Sequence, residues 1–449
     1  MSKKLYTLVS MVLIAAFALA ACGTPKPAET EAPPAGGGEL YYLNFKPEVA
    51  ELYAKIGDAW KAETGNTLKV VTAAAGTYEQ TLKSEVAKSD APVLFQINGP
   101  VGYQSWKDYT ADLKDTELYK HLTDKNLAVT DGDGVYGLPY VIEGYVIIYN
   151  NAIMEKYFAT DGAKAKSMDE VNNFAKLKEV VEDMTAKKDQ LGIKGVFSST
   201  SLKPGEDWRW QTHLMNVPIF YEWRDNKVSL ASDATKEIKF QYSDNFKNIF
   251  DLYLNNSVSE PTLLGSKSVD DSMAEFALGQ SAMVQNGNWA WGQISGVDGN
   301  TVKAEDVKFL PIYTGMPGEE KQSICVGTEN FFAINKQVSP EKQKLAADFI
   351  WWLFSSPTGK SFVTNDLKFI APFDTFAENE KPTDPLAKEV LRYTSNTDLY
   401  NAAWNFVKFP SQTFKNNFGA ALLQYAQGAM EWEDVTQLVI DQWKAESGK

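Results

Sequence analysis

The chain has 449 residues, with 44 Lys and Arg against 58 Asp and Glu, for a formal net charge of −14. That balance repels a phosphate backbone and argues against nucleic acid as a partner, while two His and two Cys are too few for the usual zinc, haem or iron–sulfur ligand sets, so no cofactor or metal is expected. Length points to more than one core, since single cores stop growing near about 250–300 residues, and 12 Trp with 20 Tyr leave a surplus of large rings to be explained.

Lys3 and Lys4 precede an apolar run from Leu5 to Ala21, the pattern of a secretory signal peptide over residues 1–21. At about 17 residues the run is at the short limit for spanning a bilayer. Leu19-Ala20-Ala21-Cys22 resembles the lipobox of bacterial lipoproteins, in which the cysteine becomes lipidated; a cleaved signal with an incidental cysteine is the alternative. Residues 22–39 are rich in Pro, Gly, Ala and Glu and read as a flexible linker. The expected mature form is a domain tethered through Cys22 to the extracytoplasmic face of the bacterial cell membrane. Cys325 is then left without a disulfide partner.

Strands and helices alternate from there. Leu40–Phe45 reads as a strand, and Pro47 opens a helix with Leu52, Tyr53, Ile56 and Trp60 on one face, stopped by Gly65. Leu68–Ala73 is a second strand. The capping-box spacing of Thr77 to Gln80 predicts a helix to about Lys88. Pro92–Ile97 is a third strand, apolar enough to be buried on both faces, so the order predicts a parallel, doubly wound sheet. Ligands of such sheets sit beyond the carboxyl ends of the strands, here Asn44-Phe45, Ala73–Tyr78 and Gln96–Asn98.

Asp131-Gly132-Asp133-Gly134 reads as a hairpin turn before the apolar run Leu138–Tyr149, within which Glu143 is an isolated carboxylate. A buried carboxylate is costly without hydrogen-bond donors, so Glu143 is either a ligand group or a crosslink between segments. Asp207-Trp208-Arg209-Trp210 follows a loop-like stretch, and the strand Ser281–Gln285 leads into an Asn/Gly loop displaying Trp289 and Trp291. Loop tryptophans suit the apolar face of a flat ligand, although one of a Trp-x-Trp pair can pack inward. Phe331–Asn335 is another strand, and Ser339-Pro340 starts a helix whose Leu345, Ala346, Phe349, Trp352 and Leu353 are core. From about Pro385 the chain reads as helical, including Phe418–Gln427 and Val435–Ala445.

Two segments carry a family resemblance: Tyr136-Gly137-Leu138-Pro139 through Glu143 to Tyr149-Asn150, and Gly279-Gln280-Ser281-Ala282-Met283 through Gly287-Asn288-Trp289-Ala290-Trp291. With support from Gly327–Asn335 and Phe349–Gly359, the chain resembles the extracellular solute-binding proteins of family 1, the receptors of carbohydrate ABC importers, from about Leu40 to Trp443. Asn288 stands where a Gly-Pro-Trp-Ala-Trp loop of that family has proline, a change expected to loosen the loop and keep the ring. The resemblance implies an α/β, two-lobed periplasmic-binding-protein-like fold of type II, each lobe a doubly wound sheet flanked by helices, joined by crossing hinge segments. It places residues 40–142 and 312–355 in the N-terminal lobe and 143–311 and 356–449 in the C-terminal lobe. Residue by residue it implies Trp289 as the main stacking ring and Glu143 as a cleft glutamate. Asn44 and Lys46 follow the first strand, Tyr78 and Glu79 the second, and Gln96 and Asn98 the third; Trp208 and Trp210 lie in the second lobe, and Trp404 near the cleft.

A neutral sugar offers a C–H face to rings and a fan of hydroxyls to amides and carboxylates, and these candidates, with Asp207 and Trp291, are of those types. The implied function is non-enzymatic: a monomeric receptor that captures a sugar by hinge closure and passes it to the transmembrane subunits of an ABC permease. Several Trp favour an oligosaccharide, and one loop suggests a malto-oligosaccharide. Two alternatives stand. One is a receptor for a polyamine or peptide. The other is a secreted glycoside hydrolase with Glu143 and Asp207 as its paired carboxylates.

Overall fold

The computed structural model describes residues 37–447 other than 75, 231 and 232. The segments expected to be a signal peptide and, with Cys22, most of a linker lie outside the described residues. Twelve strands occur among the described residues: β1 (Glu39–Asn44), β2 (Thr67–Thr72), β3 (Leu94–Asn98), β4 (Val129–Asp131), β5 (Gly134–Pro139), β6 (Glu143–Asn150), β7 (Gly195–Phe197), β8 (Ser281–Gly287), β9 (Val307–Leu310), β10 (Gln322–Gly327), β11 (Asn330–Ile334) and β12 (Tyr400–Ala403). They form two sheets, the first in the order β2-β1-β3-β11-β5-β4 and the second in the order β12-β10-β6-β8-β7, with β9 also pairing β6.

The first sheet begins as the alternation of strands and helices predicts. β1 pairs β2 and β3 in parallel. Between β1 and β2 runs the helix Ala50–Thr64, which buries Tyr53, Ile56 and Trp60 and ends at Gly65 with φ 77°, a left-handed position that glycine takes without a Cβ penalty. The sheet is mixed rather than purely parallel, because β11 inserts antiparallel between β3 and β5. The helix after β2 starts at Tyr78, but without the expected capping box: the Thr77 hydroxyl donates to the Ala74 carbonyl instead.

β6 shows why the second sheet forms. Tyr145, Ile147 and Tyr149 face one apolar cluster, with Phe197, Met283 and Phe250, and Val146 and Ile148 face another, with Val284, Phe309 and Ile324. The period of two thus buries both faces of one strand. One edge of β6 pairs β8, and the other pairs β10 along residues 143–145 and β9 along 147–150.

The lobe boundaries differ from those expected. β10 lies in the second sheet and β11 in the first, so the chain crosses at Thr328-Glu329 rather than near 312. Residues beyond 355 stay in the first lobe: Val363, Leu367, Phe369 and Phe373 share a core with Leu40, Tyr42, Trp60 and Phe349. The return crossing comes before the helix Pro385–Thr394, whose Leu386 and Val390 pack beneath the second sheet. The C-terminal part also holds a strand the sequence does not announce, β12, parallel to β10, besides the helices Gln412–Ala426 and Trp432–Glu446.

Candidate ligand-binding site

The carboxyl ends of β1 and β3, the crossings from β5 to β6 and from β10 to β11, and the loop after β8 meet at one junction between the sheets. Lys46, just past β1, donates to Glu143 at 2.8 Å and lies 3.4 Å from Glu48. Lys46 and Glu143 are 5 % and 3 % exposed, so this is a buried ion pair linking the first lobe to the start of β6. Burial works against the Lys46 charge, but Glu143 beside it holds the ammonium above its ordinary pKa. Burial also raises Glu143, and Lys46 only partly offsets it. Glu143 is therefore an interlobe crosslink here, and it does have a charged neighbour, one distant in sequence.

A second polar group surrounds the β10–β11 crossing. Asn98 donates to Glu329 at 2.8 Å. Burial raises Glu329, an effect eased by Lys415 and by Asn98. Burial lowers Lys415, which reaches from the helix Gln412–Ala426 toward Glu329 and Glu79 and is partly offset by both. Glu79 accepts from the Trp106 indole N–H at 2.8 Å, and burial raises its pKa.

The rings come from the second lobe. Trp289 caps the short helix Ala290–Ser295. Its indole folds back over Gly287, where a Cβ would meet the ring at 2.2 Å. The loop is pinned: Asn288 N–H donates to the Gly144 carbonyl at 3.0 Å, and its side-chain oxygen accepts from Gly144 N–H at 2.9 Å. Asparagine in the proline position thus tightens the loop rather than loosening it. Lys46 Nζ stands 5.8 Å from the Trp289 ring centroid and 5.9 Å from that of Phe369.

Trp208 and Trp289, both half-buried, are 6.0 Å apart between centroids, and His213 lies 5.1 Å from the first and 5.6 Å from the second. His213 stacks on Tyr145 at 4.2 Å and 12°, with Phe406 at 5.1 Å and Trp404 at 6.0 Å. Trp404 is seated over Gly327, where a Cβ would meet the ring at 2.7 Å. Asn216 brackets it by donating to the Ala403 carbonyl and accepting from Phe406 N–H.

The structure separates the sequence candidates. Lys46, Glu143, Trp208, Trp289 and Trp404 converge on the junction, while Glu79 and Asn98 border it through Lys415 and Glu329. Trp210 goes elsewhere: it is 2 % exposed, donates to the Ser201 carbonyl at 2.9 Å and packs on Phe250 and Tyr253. The reason is that residues 209–214 are a π-helical turn opening the helix Met215–Asp225, so positions 208 and 210 point to different sides. Trp291 packs against the apolar cluster of Phe276, Ile294 and Val302. Tyr78 is core, its hydroxyl accepting from Gln96 N–H and donating to the Gln96 carbonyl. Gln96 is spent between Phe45 N–H and the Tyr140 hydroxyl. Asn44 is spent on Lys46, Thr72 and Tyr42. Asp207 accepts from Gln211 at 3.0 Å and presses on Gly419, and burial raises its pKa. His213, Phe406, Glu329 and Lys415 were not singled out. His213 carried the one available signal, as one of only two histidines.

Two α/β lobes joined by short crossings, with rings and charged groups gathered between them, define the class: a two-lobed periplasmic-binding-protein-like protein. Solved structures with this fold include a chitin oligosaccharide binding protein (17 % identity, 91 % of this chain and 98 % of that one, TM-score 0.69). RafE from Streptococcus pneumoniae in complex with raffinose is also similar (16 %, 91 % and 100 %, 0.66), as is maltose-bound MalE3 of T. maritima (16 %, 91 % and 100 %, 0.63). No curated protein matches the chain. The chain belongs to the bacterial extracellular solute-binding proteins, whose family model matches residues 55–389.

Proposed function

We propose that this chain is the receptor of an ABC importer and captures a neutral sugar, an oligosaccharide, between its lobes. The observation that carries this reading is the junction itself. Two half-buried indoles, Trp208 and Trp289, stand beside the buried pair Lys46–Glu143. Rings of that kind stack on the C–H face of a sugar, and the charged groups take its hydroxyls. Closure of the lobes on the sugar favours the closed form, which a permease then recognises and unloads. Lipid on Cys22 would keep the receptor at the membrane as a monomer, with residues 23–39 as the tether. Each of Glu79, Glu143 and Glu329 is engaged by a donor or a lysine of the chain rather than set up as an acid–base pair, so incubation with oligosaccharides is expected to release no products.

The deciding experiment is calorimetry on the mature chain with raffinose, maltotriose, chitotriose and xylotriose, against spermidine and a tripeptide. Saturable binding of one trisaccharide, on the order of micromolar, is the expected result. Binding of spermidine or the peptide alone would replace the sugar reading with the corresponding non-sugar receptor.

A further inference from the structure

His213 is the least explained group at the junction. It is 4 % exposed, ringed by Tyr145, Trp208, Trp289, Trp404 and Phe406. Burial, with Arg209, Lys415 and Lys46 nearby, keeps it neutral. A neutral imidazole carries one N–H donor and one acceptor nitrogen. Among the described residues, no hydrogen bond reaches either nitrogen; the edge-on Trp208 ring is at most a weak acceptor. The neighbouring Trp404 adds a buried unpaired donor. It is 5 % exposed, and its indole N–H has no partner among the described residues. A buried donor left unpaired is costly; Trp404 supplies one, while the His213 nitrogens are not among the fully enclosed unpaired atoms and share its ring cluster.

The geometry points to His213 and Trp404 as ligand-contacting groups at the deep end of the site, each donating an N–H to an oxygen of the bound molecule. The ligand class narrows accordingly, provided the junction is the site proposed above. An indole N–H only donates, so its partner must accept. A polyamine at neutral pH offers ammonium donors and no acceptor, and would leave Trp404 as it is. Ring, glycosidic and hydroxyl oxygens of a sugar satisfy both groups, and the His213 acceptor nitrogen can take a sugar hydroxyl proton in return. The two half-buried indoles, 6.0 Å apart, frame the approach to His213. The deep groups therefore select for oxygen-rich ligands where the rings alone would accept any flat apolar face.

The test is calorimetry on the full mature chain and on His213→Phe and Trp404→Phe, which keep a ring and delete the N–H, with the four trisaccharides and spermidine. Each variant is expected to weaken the sugar bound by the wild type about tenfold or more, with its melting temperature little changed. Histidine-selective NMR on the wild type provides a readout independent of variant folding. Only His121 and His213 contribute signals, and His121→Asn assigns them. The sugar should shift the His213 ring resonances and leave those of His121 in place. Unchanged sugar affinity in either variant, or an unmoved His213 signal in a saturated complex, overturns the assignment. A wild type that binds none of the sugars, or spermidine alone, overturns the sugar reading first and this assignment with it.

Discussion

The position of Trp289 depends on the absence of a side chain two residues before it, which makes Gly287→Ala an informative change. A Cβ at 287 would stand 2.2 Å from two ring carbons of Trp289 and 2.6 Å from a third, far inside van der Waals contact. Gly287 is absent from the glycines with positive φ, so alanine suits the backbone and the strain falls on the indole. The indole is the movable partner. Swinging out, it gives up its approaches to Trp208 at 6.0 Å and His213 at 5.6 Å and its place under the Lys46 ammonium. Ring pairs contribute about 0.5–1.5 kcal/mol each, and a cation over a ring about 0.5–1 kcal/mol or more. Losing a central aromatic anchor should cost about 2 kcal/mol of sugar binding, roughly thirtyfold in affinity. Calorimetry with the bound trisaccharide reads the loss, and near-ultraviolet circular dichroism reports the changed indole environment. Unchanged affinity in Gly287→Ala would show that the ring position is not what holds the ligand.

Three further outcomes are expected. Asn288→Pro removes both hydrogen bonds to Gly144. It should destabilise the protein by about 1–3 kcal/mol in urea unfolding; a neutral result would mean that the loop is held by packing alone. Lys46→Met leaves Glu143 buried without its partner, and breaking such a pair costs about 3–5 kcal/mol. Adding Glu143→Met should return much of that, and a double-mutant cycle with no coupling would refute the pairing. His213 imposes a pH dependence. Its folded pKa lies well below the ordinary 6.5, so below pH 6.5 the unfolded chain binds a proton that the folded one does not. Folding stability should then fall as pH drops from about 6.5 to 5, by at most about 1.4 kcal/mol per unit. The raised carboxylates Glu79, Glu143 and Glu329 act in the opposite sense, from their ordinary 4.5 upward, and so oppose the histidine. The wild type minus His213→Phe isolates the histidine, and parallel stability curves for the two would refute its burial as a neutral group.

Local periodicity made much of the architecture readable. The stripe from Tyr53 to Trp60, the strands up to Asn98 and the hairpin at residues 131–134 all follow from spacing and turn chemistry. Sheet membership was another matter. Gln322–Gly327 and Asn330–Ile334 are equally strand-like and only two residues apart, and nothing local says that they belong to different lobes. At the site, residue types were legible and partners were not. Lys46 and Glu143 are 97 residues apart in sequence, and Asn288 is tied to Gly144 through a side-chain bond that only the fold creates. Trp208 and Trp210 could have been told apart by reading their segment as a helix, in which residues two apart face different ways. His213 sits in that same segment, RWQTHL, which is buried throughout and gives no periodic sign of a polar role.

The lips of the two lobes touch without side chains. Gly76, between β2 and the helix that starts at Tyr78, has φ 72°, and a Cβ there would lie 2.8 Å from the backbone of Gly205, which itself has φ 84° in the opposite lobe. Backbone thus rests on backbone at this rim, and the structure leaves no room there for even one methyl group. A wedge is consequently easy to install: an asparagine at position 76, a residue that tolerates left-handed backbone, would prop the lips apart and leave both sheets intact. If the lobes close on a ligand as proposed, the propped chain would hold the open geometry, and a dye placed at the same rim would report closure in the parent chain.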